Sequence, residues 1–578
     1  MRTKCVSFFV FFYLIVISVA HSESESLHQR VARRRPIDLI AMPDNQTLLC
    51  LNQIGTVSII DVLSRKTTHE FAVAKEASDF CLLSEATLAI LDRESHELRV
   101  YSLLNQSVRL ISSTKVSHTP VNLQLSRNRQ ELFITSLWSH RWTKVDITEI
   151  KQPCVKMVVD LPFAPEQQIQ LDNDSVFVAD AFGGQWAIVD AERGVISRVG
   201  ELSQSHNISG LAIAANGELF MPHMTLTHEK PTTRFNVHWG DVMLNVVRSI
   251  QVDSLLNLDN DISTNLHYLG RPDNATGDPT RIIITKDGRQ LVCFAGVGEI
   301  GISDVGVNSF DRVSVGSRPE AIATDREQTK VFVASKFDDQ VSIVDIKKSK
   351  LLGKISLGHS SPLSEAEKGE QLFYDSRLSS DGWFSCHSCH THGHSNGGLA
   401  DTFGDEKEGD GKRVLSLLGV GETAPWSWGG GVSELSQQIK KSIATTMRGP
   451  VPSDEGIDAI VSYLLQLEAP PSESEARENQ NHDAIERGRQ VFEREGCSQC
   501  HHVGSYTSQD TYDVGIVDQL GNRRFNPPSL RGVSHRHRLF HDNRAGSVRS
   551  VISEFGHQIS SEVDQTDAND LIRFVESL

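Results

Sequence analysis

The sequence predicts a seven-bladed β-propeller over residues 36–358, followed by a mainly helical region. Three observations support this division. A unit of about forty residues recurs in the first part, strand-like alternation becomes scarce after residue 360, and the histidines shift toward the second part. Residues 359–578 hold 12 of the 23 histidines, which indicates metal or haem chemistry there. With 578 residues, 39% hydrophobic and 23% charged, the chain is long enough for two or three folded domains.

The clearest repeat copy covers residues 318–355. It contains four short runs rich in β-branched residues, such as Lys330–Ser335 and Gln340–Ile346, separated by turn residues. Weaker copies begin near Arg35, Ser78, Thr119, Ala164, Ile208 and Asp278. One four-stranded unit cannot bury both faces of its sheet, so a closed ring of about seven units explains the repetition. The amino-acid sequence of the clearest copy resembles the YVTN-type propeller repeats of secreted proteins. The unit at 210–277 is irregular, with a long insertion from Met224 to Asn274.

Residues 1–20 are typical of a secretory signal peptide. Arg2 and Lys4 precede an apolar run from Phe8 to Val19, and Ser18–Ala20 supplies a small-residue cleavage site. The alternative is an uncleaved N-terminal anchor. No later stretch is long and apolar enough to span a bilayer. We therefore expect an exported, periplasmic protein, in which Cys50, Cys81, Cys154 and Cys293 form either disulfides or small buried thiols.

The formal net charge of −17 argues against a nucleic-acid-binding protein, because neutralising phosphates requires a basic surface. An acidic chain is better suited to a basic partner.

The helical region divides into two halves, residues 361–467 and 483–578. Ser364–Glu367 has the pattern of a capping box that begins a helix reaching Phe373. Further helical windows lie at 432–445, 454–467, 483–495, 547–556 and 566–578. Between Leu467 and Asp483 the chain is polar and contains two adjacent prolines, which is typical of a linker.

Each half contains one C-x-x-C-H motif, at Cys386–His390 and Cys497–His501. This pattern is the attachment motif for c-type haem. Two thiols on one helical turn reach the two vinyl groups of a porphyrin, and the following histidine supplies the proximal nitrogen to the iron. The motifs therefore predict two covalently bound haem c groups, held by Cys386, Cys389, His390, Cys497, Cys500 and His501.

Residues 361–578 also resemble the bacterial di-haem cytochrome c peroxidase family, which includes the enzymes that mature tryptophan-derived quinone cofactors. The matching segments are Gly369–Ser379, Phe384–His390, Lys412–Leu418, Trp428 with Leu435 and Gln438, Pro528–Val533 and Phe540–Asp542. The resemblance implies a fold of two cytochrome c-like units, with one haem reacting with an oxidant and the other receiving electrons. It covers none of the propeller.

The resemblance implies catalytic roles for Trp428, between the haems, and for Gln438. The family's catalytic glutamate should follow about ten residues after the glutamine, but Ala444–Met447 contains no carboxylate. Cleavage of a peroxide needs a group that transfers a proton. Asp405 and Glu406, where the family has a displaceable histidine, are alternative suppliers of that group.

The resemblance leaves the sixth iron ligands open. His394 is the candidate at the first haem. His557 is the candidate at the second, where methionine ligation is disfavoured because Met447 matches a non-ligand position. Three other histidines are alternative sixth ligands of the second haem or partners of the haem propionates: His535, His537 and His541. Arg413 and Arg531 are the expected cofactor-binding arginines, with Arg536 and Arg538 as further propionate partners, because a guanidinium matches a carboxylate in geometry.

Three functions follow as hypotheses. The first is an exported di-haem oxidoreductase that takes electrons from, or gives them to, a small periplasmic protein and uses peroxide or another small oxidant. The second is a non-enzymatic di-haem electron carrier, which the missing glutamate favours. In the third, the propeller binds or oxidises an unknown ligand and the haems carry the electrons away. The irregular unit contains four histidines that form either a metal site for binding or oxidising this ligand or a set of scattered surface residues: His206, His223, His228 and His238.

Overall fold

The computed structural model describes residues 33–104, 107–257, 262–306, 309–359, 361–403 and 407–578. The expected signal peptide and the acidic pair Asp405 and Glu406 lie outside these residues.

Seven antiparallel sheets follow one another along the first part of the chain, which confirms the predicted seven-bladed propeller. The strands of blades one to four are β1 Pro36–Ala41, β2 Thr47–Asn52, β3 Thr56–Asp61, β4 Lys66–Ala72, β5 Ala77–Ser84, β6 Thr87–Asp92, β7 Glu97–Leu104, β8 Ser107–Lys115, β9 Pro120–Leu125, β10 Glu131–Ser136, β11 Arg141–Asp146, β12 Cys154–Asp160, β13 Pro165–Gln170, β14 Ser175–Asp180, β15 Gln185–Asp190 and β16 Val195–Glu201.

Blades five to seven are formed by β17 Ser205–His206, β18 Ala212–Ile213, β19 Glu218–Leu226, β20 Met243–Gln251, β21 Thr264–Leu269, β22 Pro279–Ile284, β23 Gln290–Phe294, β24 Glu299–Ser303, β25 Phe310–Ser314, β26 Pro319–Thr324, β27 Lys330–Ser335, β28 Gln340–Asp345 and β29 Lys350–Ser356. Blade five is the irregular unit. The predicted insertion from Met224 to Asn274 is wrong as a whole, because it contains strands β20 and β21 of the blade itself. The short helices α1 Arg234–His238 and α2 Val252–Leu256 lie in the connections before and after β20. In the other blades the four strands pair in sequence order.

Apolar side chains from neighbouring blades form the core of the ring. Leu48 and Ile60 of blade one pack with Phe332 and Ile343 of blade seven, and all four are nearly inaccessible to solvent. The outermost strands alternate between exposed and half-buried residues, as β16 does, because only one of their faces meets the next blade. Burial of these faces against neighbours is what makes the ring stable.

The ring closes through side chains, because every blade is built from one contiguous segment of the chain. The backbone N–H groups of Arg34 and Arg35 donate to the carboxylate of Asp339, at 3.1 and 2.9 Å. The Arg34 guanidinium lies 2.9 Å from Glu70, and that of Arg35 lies 2.6 Å from Glu370 in the helical region. The first residues of the propeller therefore hold blade seven and the helical region together.

The helical region begins at Ser364, whose hydroxyl accepts from the Glu367 N–H in the predicted capping box. The helices are α3 Glu365–Phe373, α4 Cys386–Cys389, α5 Leu435–Lys441, α6 Asp454–Leu464, α7 Glu473–Ala476, α8 His482–Arg494, α9 Val548–Ser553 and α10 Gln565–Glu576, with a π-helical turn at Ser442–Thr446. Two-residue strands pair as β30 Leu399–Ala400 with β31 Lys412–Arg413, and β32 Tyr512–Asp513 with β33 Arg524–Phe525.

The two halves share one packing arrangement. In the first half, Gly369 of α3 lies against the Ala459 carbonyl of α6. In the second, Gly488 of α8 lies against the Asp570 carbonyl of α10. A Cβ atom on either glycine would overlap that carbonyl oxygen, so the missing side chain allows the close approach of the two helices.

The segment between the halves, predicted to be a linker, contains a short helix. Ser472 caps this helix, α7, and Arg477 donates to the Ser139 carbonyl of blade three at 2.8 Å. The same guanidinium lies 2.6 Å from Glu473. The segment that joins the two halves is therefore also in contact with the propeller.

All eight cysteines in the described part of the chain are free. Among the four propeller cysteines, Cys50 and Cys293 are the buried thiols of the second alternative, whereas Cys81 is half-buried and Cys154 is exposed. Across the described ranges, no helix has the length and apolar character needed to cross a membrane.

Candidate di-haem site

The first C-x-x-C-H motif belongs to the helical region and packs against the propeller. Its helix α4 begins after Ser385, and the hydroxyls of Ser385 and Ser388 donate to the buried carboxylate of Asp278 at 2.5 and 2.6 Å. Asp278 immediately precedes blade six and has a φ of 52°, a left-handed conformation that aspartate tolerates better than most residues. Arg318 of blade seven lies 3.5 Å from the same carboxylate. Burial raises the pKa of Asp278, and these donors oppose the rise.

Asparagines of blade five hold the chain on both sides of the first motif. The Asn207 amide donates to the Ser388 carbonyl at 3.4 Å, and its oxygen accepts from the Thr391 hydroxyl. The Asn245 amide donates to the carbonyl of Trp383 at 2.9 Å, three residues before the first cysteine. The propeller therefore positions the motif through fixed hydrogen bonds.

His390 has the environment of an iron ligand. Its Nδ1 lies 2.9 Å from the Leu415 carbonyl, an interaction in which the ring nitrogen donates. Burial lowers the pKa of His390 to about 4, so the ring is neutral near pH 7. With the proton on Nδ1, the lone pair of Nε2 is available to a metal.

His501 repeats this arrangement in the second half. Its Nδ1 lies 3.0 Å from the Tyr506 carbonyl, and burial lowers its pKa to about 4. The motif is more exposed than the first, and among the described residues no hydrogen bond or ion pair connects Cys497–His501 to the propeller. The Tyr512 hydroxyl donates to the Gln499 carbonyl at 3.2 Å, a contact within the same half.

The four cysteines of the two motifs form no disulfide. Burial raises the pKa of Cys386 and of Cys389 to about 12, and that of Cys497 to about 11. Two unpaired thiols one helical turn apart, followed by a neutral imidazole with one nitrogen held by a carbonyl, make a donor set that fits haem c in each half.

Trp428 lies where the two halves meet. Its Nε1–H donates to the Arg413 carbonyl at 2.9 Å, and its ring centre lies 6.3 Å from that of His541 in the second half. The Arg413 N–H donates to the His541 carbonyl at 2.7 Å. The structure thus brings the predicted bridging tryptophan to a contact between the halves; its role in electron transfer stays a prediction.

The two predicted cofactor-binding arginines differ. The Arg413 guanidinium is buried, and burial, with a contribution from Arg536, lowers its pKa to about 9. Within the described ranges no carboxylate pairs with Arg413, so it fits a carboxylate group such as a haem propionate. Arg531 instead pairs with the exposed Glu422 at 2.7 Å.

Gln438 is on α5 and has one unused polar atom. Its Nε2 donates to the Ser442 hydroxyl at 3.2 Å, while its buried Oε1 has no protein partner. Met447 is buried in the apolar core with Leu435 and Ile439, in agreement with a non-ligand role. A buried acceptor without a donor fits a site that receives a polar ligand.

The expected sixth ligands occupy different environments. His394 is buried, with Nδ1 3.0 Å from the Ser416 hydroxyl and Nε2 3.4 Å from the His535 carbonyl, so both ring nitrogens have protein partners. His557 lies beside the Phe540 ring, 5.5 Å between centres, and its charge lowers the pKa of His501. Both assignments stay predictions.

The histidines of blade five do not share one site. His206 and His223 are buried, so the alternative of scattered surface histidines is wrong for these two. His238 lies 2.8 Å from Asp381 and, with Asp273, forms a group whose potential ligand atoms lie within 4.8 Å of one another. The metal hypothesis for this unit stays a prediction.

Sequence reasoning missed Asp278, Asn207 and Asn245, the propeller residues that hold the first motif. Asp278 precedes a proline and marks the start of a repeat unit, but its contact with residues more than one hundred positions later leaves no local signal.

Comparison with known proteins supports the sequence-based expectation. Residues 364–472 match the family model described as di-haem cytochrome c peroxidase. A cytochrome c551 peroxidase of Nitrosomonas europaea is 25% identical over 267 residues, which cover 37% of this chain and 79% of that protein. The methylamine utilization protein MauG of Methylorubrum extorquens is 24% identical over 271 residues, which cover 36% of this chain and 76% of that protein.

Hydrazine synthase subunit gamma of Kuenenia stuttgartiensis is 22% identical over 269 residues, covering 36% of this chain and 76% of that protein. Among solved structures, a Kuenenia stuttgartiensis hydrazine synthase chain aligns with a TM-score of 0.48 and 16% identity, covering 56% of this chain and 98% of that chain. The part of the chain that is similar to the di-haem cytochrome c peroxidase family thus lies in the helical region, after the seven-bladed β-propeller.

Proposed function

We propose that this protein is an exported oxidoreductase that carries two covalently bound haem c groups and exchanges electrons with a small periplasmic protein. One observation carries the proposal: in each motif the histidine is half-buried and neutral, and its Nδ1 is held by a backbone carbonyl. Export is supported by the basic start and apolar run of residues 1–20.

Bound haem would supply one-electron redox chemistry and an iron to which a small oxidant binds. The protein contributes binding and orientation. His390 and His501 present Nε2 to the metal, and the Arg413 guanidinium offers a buried positive charge to a carboxylate. Trp428 occupies the contact between the halves.

The carboxamide of Gln438 offers a hydrogen-bond acceptor, but it does not exchange protons as a carboxylate does. The π-helical turn Ser442–Thr446, where the family's glutamate would be expected, supplies only hydroxyl and apolar side chains. This observation favours the second candidate, a di-haem electron carrier in which both irons keep two protein ligands.

Haem counting tests the proposal. The full-length protein, produced in a bacterium with a cytochrome c maturation system, should show two haem c groups per chain in a pyridine haemochrome assay. The double variants Cys386→Ala/Cys389→Ala and Cys497→Ala/Cys500→Ala should each retain one, and Cys50→Ala should retain two. A wild-type protein without covalent haem would exclude the proposal.

Spectroscopy then separates the two candidates. Addition of peroxide to the reduced protein should change the Soret band and support oxidation of a donor if an iron has an open position. Electron paramagnetic resonance should show a high-spin iron in that case, and two low-spin irons if the protein is an electron carrier.

A further inference from the structure

A cavity of about 390 Å³ lies between the propeller and both halves of the helical region. Blade four and the turn leading into blade five form one wall. The loop at 394–399, which begins four residues after His390, forms the second, and the segment 535–538 with Asn543 forms the third. We call this space the interface cavity.

Four buried polar atoms around the interface cavity have no partner in the protein. They are His206 Nε2, Asn396 Nδ2, Arg536 Nε and Asn543 Oδ1. His206 and Asn396 are 2% and 8% exposed. An unpaired buried polar group costs about 1–3 kcal/mol, so four of them around one space indicate a site for a polar ligand.

The charges around the cavity favour an anion. The two Nη atoms of Arg536 donate to the carbonyls of Ser529 and Arg531, at 2.6 and 2.7 Å, and in the described ranges no carboxylate pairs with this guanidinium. A desolvated cation is stabilised most by a counter-ion.

The acidic residues that line the cavity do not supply this counter-ion. Asp180 accepts from the N–H groups of Phe182 and Gly183, and its burial raises its pKa to about 7, so a large fraction is uncharged near neutral pH. Glu201 pairs with Arg538 at 2.7 Å. Asp542, the third acidic residue of the lining, pairs with Arg544 at 2.5 Å. Within the described ranges Arg536 therefore has no carboxylate partner among the acidic residues of the cavity.

We infer that the interface cavity binds a small carboxylate or oxyanion. Arg536 Nε and Asn396 Nδ2 donate to its oxygens, and Asn543 Oδ1 accepts from a hydroxyl or amino group on the same molecule. The propeller completes the site through His206. The carboxylate has two sources, a free molecule or a propionate of bound haem, and the site we propose holds the free molecule.

Isothermal titration calorimetry of the haem-loaded full-length protein tests this inference, with sodium acetate and sodium nitrite as probes and ethylammonium chloride as a cationic control. Acetate or nitrite should bind and ethylammonium should not. Asn396→Asp keeps the oxygen that accepts from the Gly398 N–H and replaces the free donor by a negative oxygen. Its affinity should fall by about tenfold or more, since loss of a donor and added repulsion exceed 1.4 kcal/mol.

Asn128→Asp is the matched control. The Asn128 oxygen accepts from the N–H two residues later, as that of Asn396 does, but it lies in an exposed turn of blade three outside the interface cavity. This variant should bind the probes as the wild type does. An equal loss in both variants would contradict the proposal.

Two further results would overturn the inference. One is that the haem-loaded wild-type protein binds neither acetate nor nitrite. The other is that Asn396→Asp shifts the Soret band and leaves probe affinity unchanged, which would identify the anion as a haem propionate. Loss of redox activity with intact acetate binding would count against the proposed function alone.

Discussion

The two C-x-x-C-H motifs share a ligand arrangement and differ in what surrounds them. In both, the histidine Nδ1 faces a backbone carbonyl at about the same distance, 2.9 Å for His390 and 3.0 Å for His501. The first motif is held by the propeller residues Asp278 and Asn207, whereas contacts within its own half hold the second.

The difference is one of support and of exposure. Hydrogen bonds from the propeller hold the first motif, in which His387 and Ser388 are buried, whereas no residue from Cys497 to His501 is buried. The following predictions test whether the first motif depends on the propeller and the second does not.

The largest effect is expected from Asp278→Ala. The substitution leaves the Ser385 and Ser388 hydroxyls without their buried acceptor and removes one partner of Arg318. We expect a loss of about 3 kcal/mol of unfolding free energy, measured by urea denaturation. Haem attachment at the first motif should fall while that at the second is retained.

Asp513→Ala provides the comparison for the second half, since this exposed carboxylate pairs with Arg523 at 2.9 Å. Exposed ion pairs contribute about 0–1 kcal/mol. Equal destabilisation by the two substitutions would show that the first motif does not depend on the propeller.

An intermediate effect is expected from Gly369→Ala and Gly488→Ala. Each added methyl group would overlap a carbonyl oxygen of the facing helix, at Ala459 or Asp570. Overpacking costs about 1–3 kcal/mol, so both melting temperatures should fall, as measured by circular dichroism. Gly546→Ala, where the added Cβ would have no neighbour within 4 Å, is the control.

The smallest effect is expected from Tyr512→Phe. It removes the hydroxyl that donates to the Gln499 carbonyl in the second motif, a partly exposed hydrogen bond. The cost should be about 0.5–1.5 kcal/mol in urea denaturation. A larger loss, accompanied by loss of haem from the second motif, would show that this motif depends on one contact as the first depends on Asp278.

Local patterns predicted most of the fold. The spacing of β-branched runs and turn residues identified the seven blades and the irregular fifth one, because each blade is a contiguous unit with its own alternation. The capping box at Ser364 was likewise predicted correctly, since its hydrogen bonds span only three residues.

Contacts between distant segments could not be predicted in this way. Asp278 accepts a hydrogen bond from Ser385, and Arg477 donates one to blade three. Arg536 and Asn396 line the interface cavity together with His206. None of these pairings follows from residue spacing, because they depend on how the helical region packs on the ring. For the same reason the composition of the linker between the halves did not predict its contact with the propeller.

The closure of the ring by Arg34 and Arg35 has a consequence for the order of assembly. Each blade forms from local contacts as soon as its own segment is available, but Asp339 and Glu370 lie more than 300 residues after the arginines that bind them. Contacts between residues so far apart in the sequence form late in folding. The chain between them must first be closed into a loop, and this costs conformational entropy before the contact contributes any free energy. Because Arg35 also joins Glu370 of α3, this contact forms only after the chain has extended into the helical region. We therefore expect the contacts of Arg34 and Arg35 to form late in folding, after the individual blades.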